Sequence, residues 1–223
     1  MHKFIVPVAL GVALMARGHE AAPAGTGVMP PAAVSSVESV KAELEAMFAT
    51  DQSLRQEMVK LEKERGRNSP EAQEAMKKQR EIDEKNIARL EEIIAQHGWP
   101  GITKFGGKAA SAAFLILQHS DLPYQQKYLP LAREAAAKGE LKGSSLALLE
   151  DRVRLREGKK QLYGSQVKRN AMDEWGPEPL EDEENVDALR ASVGLMPLAD
   201  YLQSFAETRG GKVSPKWAKR PEK

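Results

Sequence analysis

The sequence predicts a mostly α fold: an antiparallel helical hairpin joined to a compact helical bundle, with one irregular loop or short hairpin near residues 159–180. Two observations carry this expectation. Apolar residues recur at three- and four-residue steps over two long segments separated only by residues 66–70. That is the period of one helix face, and so short a connection makes neighbouring helices antiparallel. The run 109–117 is small or apolar at every position but Ser111, and a helix apolar all round is a buried one.

In chain order, residues 1–22 read as a secretory signal: His2 and Lys3 precede an apolar stretch, 4–16, too short to cross a bilayer. Residues 23–34, rich in Ala, Gly and Pro, read as a linker. A single helical domain is expected over 35–208, and a disordered basic tail over 209–223. Ser35 or Ser36 caps the first helix, whose stripe is Val37, Val40, Leu44, Met47, Phe48, Leu54, Met58 and Leu61. Ser69 as N-cap and Pro70 at the first helical position open the second. It carries Ala72, Met76, Ile82, Ile87, Leu90, Ile93 and Ile94, and stops at Gly98. Gly106 and Gly107 lead into the buried helix. Pro123 opens another, closed by Gly139, and Ser144 or Ser145 starts the next, ended by Gly158. Helical period is lost around Gly164, Gly176, Pro177 and Pro179, which read as the irregular loop. Asp182 or Asn185 caps a helix that ends at Gly194, and Pro197 begins the last, through Phe205.

Bulk properties exclude several classes of function. Among 223 residues, 33 Lys and Arg face 32 Asp and Glu, a net charge of +1, so no global field steers the chain to nucleic acid or to an anionic membrane. Aromatic content of 5% argues against base-stacking surfaces. The absence of Cys removes disulfides, thiolate metal ligands, thiol nucleophiles and a lipoprotein anchor. No membrane partner is expected beyond the signal, which implies a periplasmic or secreted protein.

Function is to be sought where polar residues occupy apolar positions. Asp51 and Arg55 lie four apart on the inner side of the first helix, spaced for a partly buried ion pair. Gln79, Asp83 and Asn86 interrupt the ladder of the second helix, and Gln118, His119 and Asp121 follow the buried run. Arg152 borders the core beside Leu148 and Leu149 and, with its several donors, is the expected hub of a buried network. A histidine near carboxylates can act as general acid or base, which makes His119, Asp151 and Arg152 the catalytic candidates. In that role Asp51 or Asp151 would orient His119, and Arg55 or Arg152 would stabilise negative charge. Gln161, Tyr163 and Gln166 suit polar recognition or loop fixation, because a glutamine amide both donates and accepts. A metal would have to rely on His119, Asp121, Asp51 or Asp83, with no metal-ligand spacing along the chain, so none is expected, nor any other cofactor. Neither a nucleophile elbow nor a phosphate loop is present.

The ordered motifs have a family likeness. They are D-Q-x-x-R at Asp51, Gln52 and Arg55, D-x-x-N at Asp83 and Asn86, I-I-x-x-x-G-W-P from Ile93 to Pro100, and Q-H-x-D from Gln118 to Asp121. D-R-V at Asp151 to Val153, G-x-x-Q-x-Y-G-x-Q from Gly158 to Gln166, and N-V-D-A-x-R-A-x-V-G-L from Asn185 to Leu195 complete the series. Together they resemble an uncharacterised, mostly bacterial family catalogued as domain of unknown function 6624. Ser165 stands where the family usually has Thr, keeping the hydroxyl. The resemblance implies no activity. It implies that Asp51, Arg55, Asp83, Asn86, Gln118, Asp121, Gln161, Tyr163 and Gln166 belong to one site. Three readings stay open: an exported module binding a small polar ligand, a hydrolase-like enzyme using His119, and an interaction protein whose polar network only specifies the fold.

Overall fold

The computed structural model describes residues 35–66 and 68–218. The expected leader and linker, 1–34, lie outside them, as do residues 219–223. Among the described residues the chain forms eight helices and a small three-stranded sheet, a mostly α fold.

The hairpin is α1 (Val37–Arg65) and α2 (Pro70–His97). Ser36 caps α1 by accepting from the Ser39 N–H, and Ser69 caps α2 by accepting from the Ala72 N–H, with Pro70 at the first helical position. These side chains satisfy N–H groups that a helix start leaves unpaired. Against the hairpin packs α3 (Ile102–His119), which is buried or half-buried from Ala109 onward as the composition of that run demands. It starts a turn earlier than the glycine pair suggests, because Phe105 is fully buried and anchors that turn to the core. The helix then breaks at Gly106, whose φ of 81° is open to glycine at little cost. Next come α4 (Leu122–Ala137) and α5 (Gly143–Arg156), packed on each other; α5 begins at Gly143 without a side-chain cap rather than on a serine hydroxyl. Val40, Leu44, Ile87, Leu90, Ile93, Phe105, Leu117 and Leu149 fill the core these helices share.

A second, smaller core lies beyond α5. Strands β1 (Val167–Arg169) and β2 (Glu174–Pro177) form the antiparallel hairpin within the irregular stretch. Helices α6 (Val186–Ser192) and α7 (Leu198–Arg209) follow, with Asn185 at the start of α6. Trp175, Leu180, Val186, Leu198 and Leu202 make this core. Residues 212–218, which the sequence assigns to an unstructured tail, form β3 (Lys212–Val213), parallel to β2, and the short α8 (Pro215–Ala218). The reason is local: the Trp175 indole N–H donates to the Gly210 carbonyl at 2.7 Å, and its ring packs on Phe205. Both contacts draw the segment after α7 onto the sheet. No described helix is long and apolar enough to cross a membrane.

Candidate functional site

The inner stripe of α1 runs Val40, Leu44, Asp51, so the third buried place one would give to an apolar residue goes to a carboxylate only 4% exposed. On α2 the stripe runs Ala72, Gln79, Ile87, with Asp83 between the last two, and Gln79 is 3% exposed. Because i and i+4 share a helix face, the pairs Asp51–Arg55 and Gln79–Asp83 meet across the hairpin. Arg55 donates from Nε to Asp51 Oδ1 at 2.9 Å and from Nη2 to Asp83 Oδ1 at 2.7 Å. Gln79 Nε2 lies 3.0 Å from each of the same two oxygens. The C-terminal end of α3 brings His119 to this group, with Nδ1 at 3.5 Å from Asp51 Oδ2.

That distance is long for a hydrogen bond. His119 Nδ1 and Gln79 Oε1 are both buried and have no hydrogen-bond partner. Burial pushes the Asp51 carboxyl upward, but the His119 ring, the Arg55 guanidinium and the Gln52 amide together hold it below its ordinary value. Beside the cluster opens a cleft of about 260 Å³. Arg55 and Met58 of α1, Met76 and Asp83 of α2, His119, and Asp121 with Tyr124 at the start of α4 are among the residues on its walls.

The second polar group behaves differently. Asp151, fully buried on α5, accepts from the backbone N–H groups of Leu162, Tyr163 and Ser165 at 2.7, 3.0 and 2.9 Å. Gln161, also fully buried, donates from Nε2 to the carbonyls of Gln166 and Glu178 and accepts at Oε1 from the Gln166 N–H. Arg190 donates to the carbonyls of Met196 and Tyr163 at 2.6 Å each and stacks 4.8 Å from the Tyr201 ring centroid. The loop passes through Gly164 at a φ of 66°, where a Cβ would sit 3.1 Å from Leu198. These side chains tie the loop down, and none of their fully buried polar atoms is left without a hydrogen-bond partner.

Arg152 bridges the two groups. It donates from Nη1 to the Gln118 carbonyl at 2.8 Å and from Nε to Gln166 Oε1 at 3.2 Å. Among the described residues no carboxylate pairs with it. Burial, with the neighbouring charges of Arg156 and Arg55, pulls its pKa down to about 10. The expected hub of a buried ion pair is therefore a cation held by neutral oxygens, and the hub of the network is Asp151.

Of the residues singled out in the sequence, Asp51, Arg55, Asp83, His119 and Asp121 meet at or on the cleft. Asp51, not Asp151, is the carboxylate beside His119. Gln118 is 3% exposed and points to the α5 side, its amide 3.4 Å from the Leu148 carbonyl. Gln161 and Gln166 lie in the loop brace, and Tyr163 contributes its backbone there. Asn86 is half-buried on α2, away from the cleft walls. Tyr124 is a cleft residue that the sequence reading passes over, whereas Gln79, already marked as a break in the apolar ladder, joins the cluster. Gln79 had a signal: it sits four before Asp83 on a stripe that is otherwise apolar.

Fold and site define a helical domain with a polar cleft at the junction of a hairpin and a bundle. The chain matches the model of a family described only as a family of unknown function, DUF6624, over residues 38–214. It belongs to that family. No curated protein and no solved structure matches it.

Proposed function

We propose that this protein binds a small polar ligand in the cleft beside Asp51, Asp83 and His119. One observation carries the reading: buried polar atoms without partners, His119 Nδ1 and Gln79 Oε1, lie in the cluster behind an open cleft. Leaving a buried polar group unsatisfied costs about 1–3 kcal/mol; His97 Nε2, Trp99 Nε1 and Gln118 Oε1 are orphaned too, but of the five residues Gln79 and His119 alone line this cleft, where a ligand can supply the partner. A volume near 260 Å³ is below the common range for drug-sized ligands, about 300–1,000 Å³, and suits a small molecule. Arg55 and His119 supply donors, and Asp83 and Asp121 supply acceptors.

The Asp51–His119 pair favours a second reading, acid–base catalysis. Nδ1 is buried toward Asp51 while the ring is 16% exposed on the cleft, so Nε2 is the nitrogen available to a bound molecule. In hydrolytic triads a carboxylate hydrogen-bonded to Nδ1 fixes the tautomer and orientation of the histidine, and Asp51, 3.5 Å from Nδ1, would take that role once the contact tightens around a bound molecule. Ester or amide hydrolysis lost in His119→Ala would promote this reading over simple binding.

The basic start and apolar run of residues 2–16 support export as part of the proposal; sequencing the N-terminus of protein recovered from cell fractions tests it, and full-length cytoplasmic protein would overturn it. For the ligand, NMR of the full chain against small amides, sugars and carboxylic acids is the test. Shifts centred on His119 and Tyr124 and abolished in Arg55→Ala are expected. Binding elsewhere, or unchanged by that variant, would refute it.

A further inference from the structure

We infer that the cluster behind the cleft is a site for a divalent first-row transition cation, held by Asp51, Asp83 and His119. This deepens the ligand-binding reading, and rests on it, by naming what the polar end of a ligand would meet there. Chain spacing gives no hint of such a site because each donor comes from a different helix. In the fold, one ligand atom from each of the three lies within 4.8 Å of the others.

Three independent features point to a cation. The first is geometry. Donors on metal bonds of about 2.0–2.2 Å, at octahedral or tetrahedral angles, stand roughly 3.0–3.5 Å apart. His119 Nδ1 and Asp51 Oδ2 are 3.5 Å apart and make no hydrogen bond, the separation of two ligands on one ion. The second is charge. Two carboxylates face one guanidinium beside the His119 ring, so carboxylate charge outnumbers guanidinium charge in a largely buried place. Arg55 takes the Oδ1 atom of each carboxylate, which leaves both Oδ2 atoms for an ion and makes Arg55 the outer support that orients the ligands. Gln52, whose amide reaches Asp51 Oδ2 at 2.9 Å, is only half-buried and can swing away.

The third feature is Gln79, 97% buried with an unpartnered Oε1, while its Nε2 sits 3.0 Å from both carboxylates. A half-turn exchanges the two ends of an amide. With a cation present, Oε1 turns inward as a fourth ligand, and the orphaned acceptor gains its partner. One imidazole nitrogen among carboxylate and amide oxygens selects manganese, iron or zinc over magnesium or calcium, whose sites are all oxygen. The remaining positions face the cleft, where a polar ligand or water would complete the shell.

The experiment uses the full chain stripped with chelator. Calorimetric titration with Zn²⁺ and Mn²⁺ is expected to give one ion per chain, and His119→Ala to weaken binding at least tenfold. A readout on the unaltered protein guards against a variant that misfolds: substoichiometric Mn²⁺ should broaden the His119 ring and the Met58 and Met76 methyl signals before any others. Absence of stoichiometric binding, or broadening centred on surface carboxylates, would overturn the inference. Small-molecule binding in the cleft that persists in excess chelator, with no ion bound, would sink the metal site and leave the ligand reading standing. Ion binding without any small-molecule binding would do the reverse.

Discussion

The two polar clusters are built from the same kinds of residue and end in opposite states. Around Asp151 and Gln161, a buried carboxylate and a buried amide meet backbone groups one for one, and the loop after α5 is pinned in place. Around Asp51 and Gln79, another buried carboxylate and another buried amide meet side chains, and buried polar atoms are left without partners at the edge of a cleft. Composition does not separate a brace from a site. Partners do: backbone groups cannot leave, so a cluster satisfied by them is finished, whereas one satisfied by side chains can exchange those partners for a ligand.

This contrast can be broken by mutation. The largest expected effect is for Asp151→Ala, which strands three N–H groups at about 1–3 kcal/mol each. Urea unfolding should show a loss of several kcal/mol, and a change below about 1 kcal/mol, within the ordinary scatter of mutations, would break the claim that the loop is braced there. Arg152→Ala should cost less, about 1–2 kcal/mol. It frees Gln166 Oε1, but the Gln118 carbonyl keeps the Gln125 amide at 2.9 Å, and an unpaired buried charge disappears. A loss as large as that of Asp151→Ala would return Arg152 to the role of hub.

How the sequence foretold one cluster and not the other has a physical explanation. Several helix ends are legible because caps are local chemistry: Ser36, Ser69 with Pro70, and Gly98 stand where they are expected, while Asn185, one of the two candidates for α6, precedes it without a side-chain cap. The Asp51–Arg55 pair was legible for the same reason, being four apart on one helix. That Asp51 rather than Asp151 reaches His119 depends on how three helices cross, which no spacing records. For Gln161 and Gln166 the sequence leaves both ligand recognition and loop fixation open, because an amide that donates and accepts suits either, and the hydrogen bonds of Gln161 are those of a loop tie. The sheet strand at residues 212–213 was missed because its cause, the Trp175 indole reaching Gly210, is a contact across 35 positions.

A smaller effect sharpens the electrostatic side of the contrast. The Asp51 carboxyl is held below its ordinary 3.8, so its ionised form favours the folded state above that pH. The contribution is lost as pH falls through the lowered native value. Asp51→Asn should therefore lose less stability than the parent on acidification below pH 3.8. Parallel curves for the two proteins, by urea unfolding at a series of pH values, would show that His119 and Arg55 do not hold the carboxyl down.

The smallest effect bears most directly on the central claim that the cluster at the cleft is kept for use and not for the fold. His119 Nδ1 has no hydrogen bond to lose, Arg55 and Gln52 still hold the Asp51 carboxyl down without it, and residues that serve a site often leave stability unchanged or raise it when removed. Urea unfolding of metal-free His119→Ala should give a midpoint within about 0.5 kcal/mol of the parent or above it, beside the large loss in Asp151→Ala. Destabilisation of His119→Ala by as much as Asp151→Ala would contradict the claim and make both clusters scaffolding.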